Sequence, residues 1–148
     1  MGDRIVVGFV MDEDAKNTLF LYLHSGGYQM MHNLAVGLNR AVSAGLLNDY
    51  CYGSRIVCSD LIDPGSDLGA GFMVNEIPVD IQHKIPMVNF FDNTVSLYDP
   101  FGKPGNVWDV WEYPDRDKWT KLFTMDIENF VTKFRKASRS QWDEYNYV

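Results

Sequence analysis

LFLYLHSGGYQMMHNLAVGLNRAVSAG, Leu19 to Gly45, contains a change of period, and the architecture follows from where that change falls. Through Leu23 the residues alternate, with Leu19, Leu21 and Leu23 on one face of a strand and Phe20 and Tyr22 on the other. From Tyr28 onward Met31, Leu34, Ala35, Leu38 and Val42 recur at spacings of three and four, which is one stripe of an α-helix, and Gly45 ends it. Between the two lies the turn His24-Ser25-Gly26-Gly27. A strand that ends in a glycine-rich turn and opens into a helix presents backbone N–H groups beside the positive end of the helix dipole. The turn reads either as a receptive spot for an anion or as a plain corner, in which His24 caps and the glycines permit the bend.

Upstream, Arg4 to Val10 alternates, with Ile5, Val7 and Phe9 on one face, and Gly8 fits a strand that another backbone passes closely. The polar link Met11 to Asn17 holds Asp12, Glu13 and Asp14 and reads as the wet tip of a hairpin. Downstream, Ser54 is placed to cap a helix carrying Ile56, Val57, Asp60 and Leu61 and closing before Pro64; a strand through Arg55 to Cys58 is the rival reading. Asp63-Pro64-Gly65-Ser66 is a turn by composition, and Gly69 to Val74 leads into a third strand. Met87 to Phe91 and Thr94 to Tyr98 flank Asp92-Asn93, two residues that tolerate positive φ, as the arms of a second hairpin. Asp99 to Lys121 reads as a long irregular loop packed by Trp108, Trp111 and Trp119, and Thr124 or Asp126 caps a last helix whose stripe Ile127, Phe130, Val131, Phe134 runs to about Ala137. No repeat or linker divides the chain. Residues 1–148 are expected to form a single α+β domain, a mainly antiparallel sheet of about five strands with about three helices packed on it, mainly on one face.

Composition narrows the function. Twenty acidic against thirteen basic residues give a net charge of −7, which repels a phosphate backbone at long range. The one basic cluster, Lys133, Arg135, Lys136 and Arg139, is followed at once by Asp143 and Glu144 and reads as the charge pattern of a helix C-terminus, so nucleic acid is not an expected partner. No apolar run approaches the ~20 residues that span a bilayer. Met1-Gly2-Asp3-Arg4 leads straight into a strand with no leader pattern, and Val6 stands where a myristoylation signal wants Ser or Thr, so no membrane anchor and a cytoplasmic location are expected. Cys51 and Cys58, seven apart, match neither a redox nor a zinc spacing and read as free, packed thiols.

Few residues suggest chemistry. Ser25 lies in a strand-turn-helix setting, but Leu23 stands where a nucleophile elbow needs glycine. His24, His32 and His83 have no ligand spacing, and Asp60, Asp63 and Asp67 do not follow a calcium loop, so no metal and no cofactor are expected. Arg55 is more suggestive. Just inside the first turn of a helix capped by Ser54, a cation opposes the dipole and calls for a partner, either a carboxylate of this chain or an anionic ligand.

The ordered set RIVVGF, LFLYLHSGGY, YGSRIVCSDLI, LGAGFMV and NTVSLYD, from about Arg4 to Asp99, resembles a group of small uncharacterised proteins encoded by tailed phages. The resemblance rests on a strand ending in His and glycines, an Arg opening the next helix and a Gly-x-Gly before a strand, here His24, Gly26, Gly27, Arg55, Gly69 and Gly71. Ser25 departs from it, standing where an aromatic residue is common. It implies a phage accessory origin, with anti-defence as a candidate role, rather than a chemistry.

The expectation is therefore a binding protein without catalysis. It would either sequester a nucleotide-like anion at His24, Ser25, Gly26, Gly27, Arg55, Gly69 and Gly71, or occupy a host protein through Trp108, Trp111, Trp142, Tyr145 and Tyr147, since Trp and Tyr are strong interface anchors. Self-association into a homo-oligomer is compatible with either. The alternative is a small hydrolase or transferase with His24 as general base and Arg55 steadying an anion, which requires both to face one cavity.

Overall fold

A computed structural model of the chain describes residues 4–62, 69–78, 81–100 and 116–136. The first hairpin forms as its alternation dictates. Ile5–Val10 (β1) and Thr18–Leu23 (β2) pair antiparallel, from Ile5 opposite Leu23 to Val10 opposite Thr18. Its tip is tied by Asp12, whose carboxylate accepts from the backbone N–H of Lys16 (2.8 Å) and of Asn17 (3.2 Å) and from the Asn17 amide (2.7 Å). Slight desolvation raises the Asp12 carboxyl, and the hydrogen bonds from Asn17 and Lys16 outweigh it, so its pKa lies below the ordinary value.

Four further strands complete one six-stranded sheet: Ala70–Val74 (β3), Ile85–Asn89 (β4), Thr94–Asp99 (β5) and Thr120–Asp126 (β6), in the order β3-β2-β1-β4-β5-β6. Every pairing is antiparallel except the central one, β1 beside β4, which is parallel. The sheet thus has one strand more than the sequence suggested. β6 begins in the last two residues of the stretch read as loop and runs on to the cap of the last helix; its outward residues are exposed, and only Phe123 and Met125 pack partly against the helix-side core. The second hairpin also differs in detail. β4 ends at Asn89, and a four-residue connection, Phe90 to Asn93, replaces the expected two-residue turn. Asn89 Oδ1 accepts from the N–H of Phe91 at 2.8 Å, and Asn93 takes φ 59°.

Three helices, Met30–Ser43 (α1), Tyr50–Leu61 (α2) and Ile127–Phe134 (α3), lie on one face. Met31, Leu34, Ala35 and Leu38 of α1 are buried against Ile5, Val7, Phe9, Leu21 and Leu23, joined by Phe130 and Phe134 of α3. Gly45, at φ 75°, closes α1 as expected, with Leu46 N–H reaching back to Ala41 C=O at 3.0 Å. The second helix is a helix and not a strand, but it starts earlier than Ser54. Asp49 is the cap, its carboxylate accepting from Tyr52 N–H at 3.0 Å, which leaves Ser54 buried inside α2 and Arg55 clear of the first turn. Asp126 caps α3, accepting from Asn129 N–H at 2.7 Å. The expected turn at Asp63 to Ser66 and the helix end at Ala137 lie outside the described residues.

The opposite face carries a smaller core of Val6, Phe20, Ile81, Ile85, Met87 and Trp119. Its cover comes partly from the link between β3 and β4, which Gln82 ties to Arg4 through two hydrogen bonds, N–H to C=O at 3.0 Å and Oε1 from N–H at 3.2 Å.

The two thiols separate cleanly. Cys51 is exposed, not packed as the sequence suggested, whereas Cys58 is buried and burial pushes its pKa from 9.0 up to about 12. A group ionising later in the folded chain than in the unfolded one contributes stability that is complete below the unfolded pKa and disappears as pH rises toward the folded value. Urea midpoints are therefore expected to fall between pH 9 and 11 in the wild type, and to fall less in Cys58→Ala. Equal slopes would refute this assignment.

Candidate functional site

The strand-to-helix turn is an open corner. His24 and Ser25 are exposed, Gly26 adopts φ 93°, and Gly27 is buried at the start of a short 3-10 turn, Gly27–Gln29, that precedes α1. His24 N–H donates to Gly69 C=O at 2.8 Å, and a Cβ on Gly69 would stand 2.9 Å from that of His24, so glycine allows the two segments to meet. Gly71 lies opposite Tyr22, two residues further along the chain. His24, Gly69 and Gly71 are thus neighbours at one end of the β2–β3 ladder.

Arg55 is not brought to them. His24 follows Leu23, which pairs with Ile5, whereas α2 begins at the other end of the sheet: Tyr50 stacks on Phe91 at 4.8 Å, and Gly53 sits on Phe90 just beyond the end of β4. The six residues of β1 separate His24 from the first turn of α2, and Arg55 stands five residues further along that helix. Arg55 is exposed in the body of α2, so the dipole conflict that called for a partner does not arise; Asp60 of the same helix pairs with Arg40 of α1. Among the described residues, the cleft lining includes neither His24 nor Arg55, the pair that the hydrolase or transferase reading needs in one cavity. Trp108, Trp111, Trp142, Tyr145 and Tyr147 lie outside the described residues.

A cleft of about 540 Å³ opens elsewhere, on the sheet face turned away from the helices, over β4, β5 and β6. It arises from strand alternation. Val95 and Leu97 of β5 point into the helix-side core, which turns Thr94, Ser96 and Tyr98 to the other face. There Ser96 Oγ and Thr124 Oγ1 are 2.7 Å apart, and Thr94 Oγ1 donates to Asp92 at 2.6 Å. Met87 lies in the cleft lining beside them and Trp119 forms part of a wall, its ring edge-on to Phe20 at 6.3 Å. Lys121 reaches over the Tyr98 ring at 5.7 Å.

Arg116 is the most informative lining residue. Half-buried in the cleft wall, it lies over the Phe20 ring at 5.4 Å and donates from one terminal nitrogen to Thr18 Oγ1 at 2.6 Å. Burial pulls its pKa down, against an opposing pull from Tyr98. Among the described residues no carboxylate pairs with it. A guanidinium carries five donors, and Thr18 engages one side of that fork.

No family model, curated protein or solved structure matches the chain. Its function is therefore read from geometry. Among the described residues no histidine lines the cleft, and no group of three His, Cys, Asp or Glu is placed to hold a metal ion. This site is not visible in the sequence, because Arg116 and Trp119 fall in a stretch with neither strand nor helix periodicity. One signal was present: Thr94, Ser96 and Tyr98 alternate with Val95 and Leu97, a strand with one core face and one face made of hydroxyls.

Proposed function

We propose that this chain is a non-catalytic binding protein, of the phage accessory kind that the resemblance implies, which sequesters a small nucleotide-like anion in the cleft over β4, β5 and β6. The observation that carries the reading is Arg116, a half-buried cation without a carboxylate partner among the described residues of a chain with net charge −7. Removing a charge from water is unfavourable unless it is paired, so an arriving carboxylate or phosphate offsets the desolvation cost of the half-buried guanidinium. Lys121 adds a second cation, Ser96 and Thr124 add neutral hydroxyls, and Asp92 and Asp117 accept from the N–H groups of a base or amine. The volume falls within the ordinary range for small-molecule sites, about 300–1,000 Å³.

Thermal-shift measurements against nucleoside phosphates, cyclic dinucleotides and inorganic phosphate test this. A ligand at a hundred times its Kd adds about 2.7 kcal/mol, which in a domain of this size raises Tm by roughly 5–10 °C. Arg116→Met keeps the aliphatic stem over Phe20 and is expected to abolish the shift, while Arg55→Met preserves it. Silence across the panel, or a shift indifferent to Arg116→Met, overturns the reading.

A further inference from the structure

We propose, building on the anion-binding reading of the cleft, that Asp92 recognises the base of the ligand and selects the guanine pattern of two adjacent N–H donors. Asp92 lines the cleft from the connection between β4 and β5, and that connection is fixed from several sides. Asn89 Oδ1 accepts from the N–H of Phe91 at 2.8 Å and of Asp92 at 3.3 Å. Asn93 C=O accepts from Ile127 N–H at 2.8 Å. Asn93 also exchanges hydrogen bonds with Asn48, its Oδ1 accepting from the Asn48 N–H and its Nδ2 donating to Asn48 Oδ1, both at 2.8 Å. The carboxylate is thus carried on a backbone already in place, which lowers the ordering cost of binding.

The bonding of the carboxylate sets what it accepts. Thr94 Oγ1 donates to Asp92 Oδ1 at 2.6 Å, and among the described residues no cation pairs with Asp92. An ionised carboxylate is acceptor-only, with about four lone-pair positions on two oxygens, so Oδ2 and the remaining position on Oδ1 take two parallel N–H donors side by side. Among the common bases only guanine places two such donors next to each other, N1–H and the 2-amino group. Adenine and cytosine set an acceptor nitrogen beside the amino group, and uracil and thymine flank their one N–H with carbonyl oxygens. A lone pair facing the carboxylate is repelled, so the same group that accepts guanine rejects the others.

The cations stand apart from Asp92. Lys121 lies over Tyr98, which is four residues from Thr94 along β5, about 13 Å. Arg116 is anchored on Thr18 of β2, which β1 and β4 separate from β5. Asp117, the other acid of the lining, adjoins Arg116 in the chain and belongs to the cationic side. A phosphate drawn to Arg116 and Lys121 and repelled by Asp92 leaves the base at the Asp92 end, where Val10 supplies apolar lining.

The test is titration calorimetry of the full chain with guanosine, inosine, adenosine and xanthosine monophosphates. The wild type is expected to bind the guanosine compound at least about tenfold more tightly than the adenosine compound, and than the inosine compound, which keeps N1–H but lacks the 2-amino group; this is the usual loss for one hydrogen bond to a charged group. In Asp92→Asn the side chain offers one acceptor and one donor, the complement of xanthine, whose N1–H adjoins a carbonyl oxygen. That variant is expected to prefer the xanthosine compound to the guanosine compound, again at least about tenfold, a gain that damage to the fold cannot produce. Four equal affinities that Arg116→Met abolishes overturn the base assignment and leave the anion reading standing. An Asp92→Asn variant that weakens all four alike does the same. Binding by none of the four also overturns the base assignment, and the anion reading is then decided by the other phosphates tested against it.

Discussion

Replacing Phe90 by alanine is expected to lower the unfolding free energy by about 3–5 kcal/mol, the usual loss when a fully buried aromatic side chain is truncated. Phe90 is 1% exposed although it stands in the connection between β4 and β5, because its ring is inserted between that hairpin and α2. The fit is close: a Cβ on Gly53 would lie 2.9 Å from two atoms of the ring. Alanine leaves a void bounded by a helix and a sheet, neither of which can collapse into it without giving up other contacts. A loss of that size is a large share of the 5–15 kcal/mol that a domain typically has. Urea unfolding should show the midpoint falling with an unchanged slope. The neighbouring Phe91→Ala, which removes a surface stack on the exposed Tyr50, should cost under about 1 kcal/mol. Equal losses at the two positions would contradict the buried, wedge-like role of Phe90.

Gly8→Val should cost about 1–3 kcal/mol, against a β propensity that on its own favours valine. Gly8 is in the central strand, opposite Phe20 on one side and Met87 on the other. A Cβ there would fall 2.1 Å from Met87 Sδ and 3.1 Å from the Phe20 ring. The glycine accommodates a side chain, not the passing backbone that the sequence suggested. The double variant Gly8→Val, Met87→Ala is expected to recover part of the loss, with a coupling energy of about 0.5–3 kcal/mol. Additive losses would show that the clash is not with Met87. Since Met87 also lines the cleft, the pair links the packing of the central strand to the shape of the proposed binding site.

The parts of the fold legible in the sequence are those in which neighbouring residues decide their own conformation. The alternation of Ile5, Val7 and Phe9, the three-four spacing from Met31 to Val42, and Gly45 at the helix end are local signals, and the structure follows them. Boundaries shifted where two local choices competed. Asp49 and Ser54 are both capable caps, and Asp49 won because starting there buries Gly53, Ser54, Val57 and Cys58 on one face. β6 escaped notice because its apolar face is only two half-buried residues, Phe123 and Met125, set beside the exposed Leu122, and most of its length is held by pairing with β5. The turn at His24 was legible as a corner, and its tie to Gly69 followed from β3 docking on β2. The cleft was not legible, since Thr18, Ser96 and Arg116 are far apart in the chain and are united only by the order of the strands.

That strand order has a kinetic consequence. The inner margin of β1 is sealed only by β4, whose last residue is Asn89, so nearly eighty residues must be synthesised after Val10 before the middle of the sheet can close. At elongation rates of about 5–20 residues per second this is roughly 4–16 s. For that interval the nascent chain offers an apolar strand with one side unsatisfied, so the middle of the sheet closes late whatever the stability of the first hairpin.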